Sequence, residues 1–231
     1  PVAELMANEW REAAPRLAAD PHTAATFLPN GAAPVMGGIF ANPRLAASLD
    51  LIARHGRDAF YTGPIAEAIA ADMRARNGLL TAQDLADHTV DWVDTISVSY
   101  RGVDVHEMPP STQGFVALEM LNILEVCAPK LGVNLTALGP ADPMKWHLLV
   151  EAKKLAYADL LAKNGDPKFA SVPVQRLISK DYAATRCDKI DPNRAGPVGV
   201  VGGTDGGTIY MAAADRWGNM VSLVHSVFSV Y

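Results

Sequence analysis

The stretch from Gly202 to Asn219 reads GGTDGGTIYMAAADRWGN. A run of glycines leads into a threonine, a short apolar strand pattern, and a turn built from Asp, Gly and Asn. The glycines first suggest a phosphate cradle, but they do not fit one. The run is neither GxGxxG after a strand nor GxxxxGK before Ser or Thr, and no Lys follows to reach a phosphate. A strand comes next, so no helix N-terminus is offered to an anion. That leaves Thr208. A threonine hydroxyl is a poor nucleophile unless a base takes its proton. One recurring solution makes the threonine N-terminal, so that its own α-amine is the base. An α-amine titrates near about 7.7–8.0, against about 10.4 for lysine, and is appreciably neutral at physiological pH. An internal threonine reaches that state only if the peptide bond before it is cut. Gly207, lacking a Cβ, allows the distorted backbone such a bond needs. A plain structural reading stands beside this one: a glycine-rich loop that ends in a β-branched strand opener. Local chemistry leaves both open.

The rest of the chain narrows the classes. Its 231 residues suffice for one large domain or two small ones. With 49% apolar and 19% charged residues the composition is that of a globular protein. A net charge of -5 argues against a nucleic-acid surface, because neutralising phosphates needs clustered Lys and Arg. The basic pairs Arg54/Arg57 and Arg74/Arg76 have acids beside them at Asp58 and Asp72. No apolar stretch is long enough to span a bilayer. PVAELMANEW carries neither a charged n-region nor an apolar h-region, so no targeting signal is visible.

Periodicity and punctuation divide the chain into helices first, with strands in the middle and at the end, a mixed α and β order. Residues 2–19 read as helix, followed by a loop, DPHTAATFLPNGAAPVMGG. Asn42-Pro43 starts a second helix, with Leu45, Leu49 and Ile52 at helical spacing and Gly56 as its stop. Pro64 opens a third, GPIAEAIAADMRARNG, and Thr81 with Asp84 forms a capping-box signal for a short fourth. DTISVSYRG and VDVHEM read as a hairpin about Arg101-Gly102. The loop PPSTQG (109–114) then leads into FVALEMLNILEVCA, a helix apolar nearly all round and therefore interior. Another helix covers about 143–164. TIYMAAA and MVSLVHSV flank the turn Asp215-Arg-Trp-Gly-Asn219.

Other candidate chemistry gives way to structural readings. The six histidines include no HxxxH or HxH pair, so no local zinc site is read. His147, Glu151 and Asp159, all on the long helix, read as packed or hydrogen-bonded structural residues. There is no GxSxG elbow. The Asn134-Leu-Thr136 sequon carries no weight without a secretory context. Cys127 ends an apolar run and reads as a buried thiol, with a disulfide to Cys187 left open.

Taken together, the motifs are collinear with those of a known family. FLPNGAAPVMGGIFANPRLAASLDLIARHGRDAFYTGPIAEAI comes first, then GLLTAQDLADH, then SYRGVDVHEMPPSTQGFVALEMLNILE. HLLVEAKKLAYADLLAKNGDPKFASVPVQRLISKDYA and TIYMAAADRWGNMVS follow. These five stretches cover nearly the whole chain, which thereby resembles the γ-glutamyltranspeptidase family of N-terminal-nucleophile (Ntn) hydrolases. The resemblance implies an α+β fold of the four-layer αββα Ntn type, present as a partial domain. Residues 1–207 would be large-subunit-like and 208–231 the start of the small subunit. In that family the nucleophilic Thr opens a strand seven residues before the Asp of a D-x-x-G-N turn, and Thr208 and Asp215 have that spacing. Thr204 lacks both the strand and the spacing. Carried over, Gly207–Thr208 is the autocleavage bond. Thr208 supplies the nucleophile and, after cleavage, the α-amine base, and Ser226 is the assisting hydroxyl. The activity implied is γ-glutamyl transfer or hydrolysis, with no metal or organic cofactor, on a small-molecule amide substrate. The location implied is periplasmic or secreted, with a cytoplasmic one left open.

Several positions depart from the family pattern. Ile209-Tyr210 replaces Thr-His after the nucleophile, and Phe228 stands where a substrate-contacting Asn is usual. Gln113 in PPSTQG resembles an acylase-like branch, and Leu160 replaces the Arg that usually follows Asp159. These point away from glutathione and keep an acylase-like or small-amide hydrolase as an alternative. A non-catalytic, unprocessed chain is the alternative of another class. The family's upstream substrate-gripping Arg is expected before Pro1, and Arg11 reads as a surface helix residue rather than that Arg. The acidic substrate ligand and Ser-Ser oxyanion pair are expected beyond Tyr231. The chain therefore reads as a central fragment, inactive alone, with its substrate-binding residues unassigned.

Overall fold

The computed structural model describes residues 1–197 and 208–226, with only the backbone at Thr208 and His225. The chain forms two compact units, Pro1–Val90 with Gly203–Tyr231, and Asp91–Gly202. The secondary structure is α+β.

The first unit begins with α1 (Glu4–Leu17), whose Trp10 and Leu17 are buried with Leu28. Phe40 meets the Trp10 ring edge-on at 4.7 Å between centroids. The segment expected as a loop after α1 contains a second helix, α2 (Pro21–Phe27). Asp20 caps it by accepting the Thr23 N–H at 2.8 Å, and Pro21 sits where a missing N–H costs nothing. Asp20 also pairs with Arg76 at 2.6 Å. Asn42 caps α3 (Pro43–His55) through the Leu45 N–H at 2.9 Å, and Gly56 ends it with φ of 67°. Leu45 and Leu49, which mark the helix by their spacing, are 53% and 55% exposed. Periodicity located the helix, but the described residues leave those two leucines uncovered, while Ile52 is half-buried. A short α4 (Arg57–Tyr61) follows, then α5 (Pro64–Ala75), which buries Ala66 and Ala70. In α6 (Ala82–Ala86) the capping box is complete, each of Thr81 and Asp84 satisfying the other's backbone N–H.

The second unit is built around one buried helix. Strands β1 (Ile96–Tyr100) and β2 (Val103–Glu107) pair antiparallel, from Ile96 opposite Glu107 to Tyr100 opposite Val103. Arg101 and Gly102 have φ of 53° and 80°, the left-handed pair a two-residue hairpin turn requires. The Arg101 N–H, turned outward there, donates to Glu125 at 2.8 Å. Helix α7 (Gly114–Lys130) buries Phe115, Leu118, Ile123 and Leu124, as its all-round apolar pattern requires. Packed against it are α8 (Pro143–Lys163), α9 (Val174–Leu177), α10 (Lys180–Arg186) and the β1–β2 hairpin. Cys127 on α7 is joined to Cys187 just after α10, their Cα atoms 5.1 Å apart. The sequence favoured a free thiol at Cys127. The docking of α10 on α7 brings the two together across 60 residues.

The final element is a second antiparallel hairpin, β3 (Thr208–Ala214) and β4 (Met220–Ser226). Among the described residues, no helix is long and apolar enough to cross a membrane.

Candidate functional site

The β3–β4 hairpin takes its register from its turn. The Asp215 carboxylate accepts the Trp217 N–H at 2.8 Å, the Asn219 N–H at 3.0 Å and the Asn219 side-chain amide at 2.7 Å. The Asp215 N–H donates in return to the Asn219 carbonyl at 3.0 Å. Gly218, with φ of 84°, occupies the left-handed position that a Cβ would disfavour. Hydrogen bonding, from the Asn219 side chain above all, holds the Asp215 carboxyl below its ordinary range. Each residue of the D-x-x-G-N pattern therefore has a mechanical job in the turn.

From that turn the pairing runs Ala214 opposite Met220, Ala212 opposite Ser222, Tyr210 opposite Val224, and finally Thr208 opposite Ser226. The two hydroxyl residues singled out in the sequence are thus direct cross-strand partners at the open end of the hairpin. A one-residue slip would separate them. Ile209 and Tyr210, the departures after Thr208, are exposed, and Ser222 Oγ donates to the Tyr210 hydroxyl at 3.2 Å. Met220 and Val224 are exposed as well. Gly207, Thr204 and Phe228 lie outside the described residues.

On α8, His147 and Glu151, both read as structural, join Lys154 in holding residues 191–196. His147 Nε2 bonds the Asp191 carbonyl at 2.8 Å, which as a pure acceptor requires the proton on Nε2. Glu151 accepts the Gly196 N–H at 3.2 Å and the Lys154 ammonium at 2.7 Å. Lys154 also donates to the Gly196 carbonyl at 2.9 Å.

Further along α8, Asp159 is 4% exposed and gathers three donors: Lys163, Arg186 and the Tyr182 hydroxyl at 2.8 Å. Where the family pattern places an Arg after Asp159, Leu160 packs into the apolar cluster, and the guanidinium arrives from Arg186 on α10. Burial opposes ionisation of Asp159, but the bonds from Lys163, Tyr182 and Arg186 outweigh it and hold its pKa below the ordinary value. Glu119 on α7 is fully buried beside Asp159, and neither of its oxygens receives a hydrogen bond from a donor. Burial, then the neighbouring Asp159, push its pKa up to about 8. Tyr182 and Arg186 gave no sequence signal, since their role depends on how α10 docks. Glu119 did give one, an acid inside an apolar helix. Gln113 sits at the N-cap of α7 without a side-chain cap bond, and Arg11 is exposed on α1, donating to Asn8 at 3.1 Å.

Comparison with known proteins agrees with the order of the motifs. The family model described as Gamma-glutamyltranspeptidase matches residues 1–231. The chain is 37% identical over 216 residues to the glutathione hydrolase-like YwrD proenzyme of Bacillus subtilis (strain 168), covering 92% of this chain and 39% of that one. It is 36% identical over 233 residues to the acylase ACY 1 proenzyme of Pseudomonas sp. (strain SE83), covering 100% of this chain and 41% of the relative. The cephalosporin acylase from Bacillus halodurans superposes with a TM-score of 0.82 at 33% identity, over 99% of this chain and 42% of that one. The fold class is therefore that of the Ntn hydrolases, present as a partial α+β domain. The chain spans about two fifths of the length of the curated relatives it matches. With the motifs, the hairpin register and these matches in agreement, the chain belongs to the γ-glutamyltranspeptidase family.

Proposed function

We propose that this chain is the nucleophile-bearing part of an Ntn amidohydrolase or acyltransferase acting on a γ-glutamyl-type amide. Thr208 is its nucleophile and Gly207–Thr208 its autocleavage bond. Residues 1–207 then belong to the large subunit and 208–231 begin the small one. The observation that carries this reading is the pairing of Thr208 with Ser226, set by the Asp215–Asn219 turn. Opposed residues in an antiparallel pair have Cα atoms about 4.5–5.5 Å apart, a range over which two hydroxyl side chains interact. The description of both relatives as proenzymes supports the cleavage step.

The chemistry proceeds in two stages. The Thr208 hydroxyl first attacks the Gly207 carbonyl, and the peptide C–N bond breaks as its nitrogen takes a proton. The resulting ester is hydrolysed by water, which leaves a carboxylate on Gly207 and a free α-amine on Thr208. That amine is the base for the second stage. It takes the hydroxyl proton as Thr208 attacks the substrate amide, then gives it to the departing amine. Water, or an acceptor amine, releases the acyl group. Ser226 donates a hydrogen bond that orients the attacking oxygen. Oxyanion donors and substrate ligands are expected in the remainder of the full-length protein, so the 231-residue chain alone is inactive.

A second reading, an acylase-like or small-amide hydrolase, is favoured by the acylase relative matched over the whole chain and by Ile209-Tyr210 after the nucleophile. The test uses the full-length protein on a denaturing gel, with Thr208→Ala alongside. Two bands that Thr208→Ala abolishes support the proposal. A single intact band in both, without turnover, points to a non-catalytic chain. Glutathione and a glutaryl amide, assayed side by side on the cleaved protein, divide the two enzymatic readings.

A further inference from the structure

The register of the β3–β4 hairpin fixes which residues share a face with position 208. Side chains alternate between the two faces along a strand, and directly opposed residues lie on the same face. Positions 208, 210 and 212 therefore share one face with Ser226, Val224 and Ser222. Ile209, Met211, Val221 and Leu223 belong to the other. An amide attacked from position 208 must come to the first face, at the open end of the hairpin. Its neighbours there are Ser226 across the ladder, Val224 on the diagonal, and Tyr210, two residues along the strand and so about 7 Å away. None of these positions carries a charge: the face reads Thr208, Tyr210, Ala212, Ser222, Val224, Ser226. Tyr210 has a hydroxyl residue on each of its two diagonals, Ser222 toward the turn and Ser226 toward the open end. Its bond goes to the first, with Ser222 Oγ donating to the Tyr210 hydroxyl at 3.2 Å. The phenol is thus drawn toward the turn and away from the Thr208–Ser226 pair. Tyr210 is 64% exposed, so its ring is open to a ligand on this face.

We infer that Tyr210 is a specificity-determining residue, the side wall for the apolar stem of the acyl group attached at Thr208, with Ser222 as the positioning residue that holds the wall back. This rests on the proposed nucleophile and deepens it: the substrate is an amide whose acyl group has an uncharged stem next to the scissile carbonyl. Any charged end of that group is bound by other parts of the full-length protein. A wall of this kind discriminates by size. One methylene more or less in a hydrophobic pocket changes kcat/KM by about tenfold to two-hundredfold. A large flat ring held at its hydroxyl suits the task, because it offers apolar area while a single hydrogen bond sets its direction.

The experiment measures kcat and KM of the full-length protein on p-nitroanilides whose acyl groups differ by one methylene: γ-glutamyl against δ-(α-aminoadipyl), and glutaryl against adipyl. Wild type, Tyr210→Ala, Tyr210→Phe, Ser222→Ala and the Tyr210→Phe/Ser222→Ala double variant are compared. Removing the wall makes room, so Tyr210→Ala should raise the preference for the longer acyl group about tenfold. A general packing defect would lower both members of a pair together and leave their ratio unchanged. Tyr210→Phe and Ser222→Ala keep the ring and lose the same hydrogen bond. They should give one smaller shift in that ratio, and the double variant should not enlarge it. A wild-type ratio in Tyr210→Ala, in a protein that cleaves and turns over amide, would overturn the inference and leave the nucleophile reading intact. A wild-type protein that turns over none of the four amides would remove that reading, and this inference with it.

Discussion

The α7–α8–α10 core and the β3–β4 hairpin are specified in opposite ways. The core hides its side chains: Phe115, Leu118, Leu148, Ala152, Ala156 and Ala183 are all at most 1% exposed, and the Asp159 and Glu119 carboxyls are buried among them. The hairpin hides almost nothing, with Met220 at 82% exposure, yet its register is fixed from Ala214–Met220 to Thr208–Ser226 by one hydrogen-bonded turn. Packing gives the core its stability. Turn chemistry gives the hairpin its alignment. For a site that needs two hydroxyls opposite each other, alignment is the property that matters, and five turn residues supply it.

This contrast can be broken most sharply at Asp159. Replacing it with Ala leaves Arg186 and Lys163 without their shared carboxylate, and should cost about 3–5 kcal/mol in denaturant unfolding. A cost below about 1 kcal/mol would mean the cluster is not a buried unit. A paired substitution sharpens the comparison next. Leu118→Ala in α7 should cost about 2–5 kcal/mol, whereas Leu223→Ala on β4 should stay within about 0.5 kcal/mol. Equal costs would show that the hairpin is as deeply packed as the core.

A dependence on pH tests the core by itself, and its sign follows from Glu119. The folded pKa of about 8 lies above the ordinary 4.5, so the native state keeps a proton that the unfolded chain has released. The stabilisation is complete below 4.5 and is lost as pH rises toward 8, at up to about 1.4 kcal/mol per pH unit. Asp159 acts in the opposite sense. Its pKa is lowered, so its contribution is present above the ordinary 3.8 and is lost on acidification through the folded value. Denaturation midpoints measured from pH 5 to 8 should fall in the wild type and flatten in Glu119→Gln, where a neutral amide replaces the titrating acid. An unchanged slope in that variant would exclude Glu119 as the source.

What the sequence made legible was local. Arg101-Gly102 announced its turn, Thr81 and Asp84 their capping box, and Pro43, Pro64 and Pro143 the first turns of their helices. The family resemblance singled out Thr208 and Ser226, and the register of the hairpin places the two opposite each other. Helix α2 was missed although Asp20 and Pro21 are a cap and first-turn pair, because the short PHTAATF carries too little periodicity to stand out. The Cys127–Cys187 bond, the Arg186–Asp159 pair and the grip on Gly196 were not legible. Each joins residues at least 27 apart, whose meeting depends on how α8 and α10 dock rather than on any local pattern. The exposed Leu45 and Leu49 show the converse, since periodicity marks a helix face without saying what covers it.

The most direct test of the central claim is N-terminal sequencing of the fragments formed by the purified full-length protein. The account predicts a new terminus that reads Thr208-Ile209-Tyr210, and none in the Thr208→Ala variant. A terminus at Thr204-Asp205, or an uncut chain that still turns over amide substrate, would contradict it.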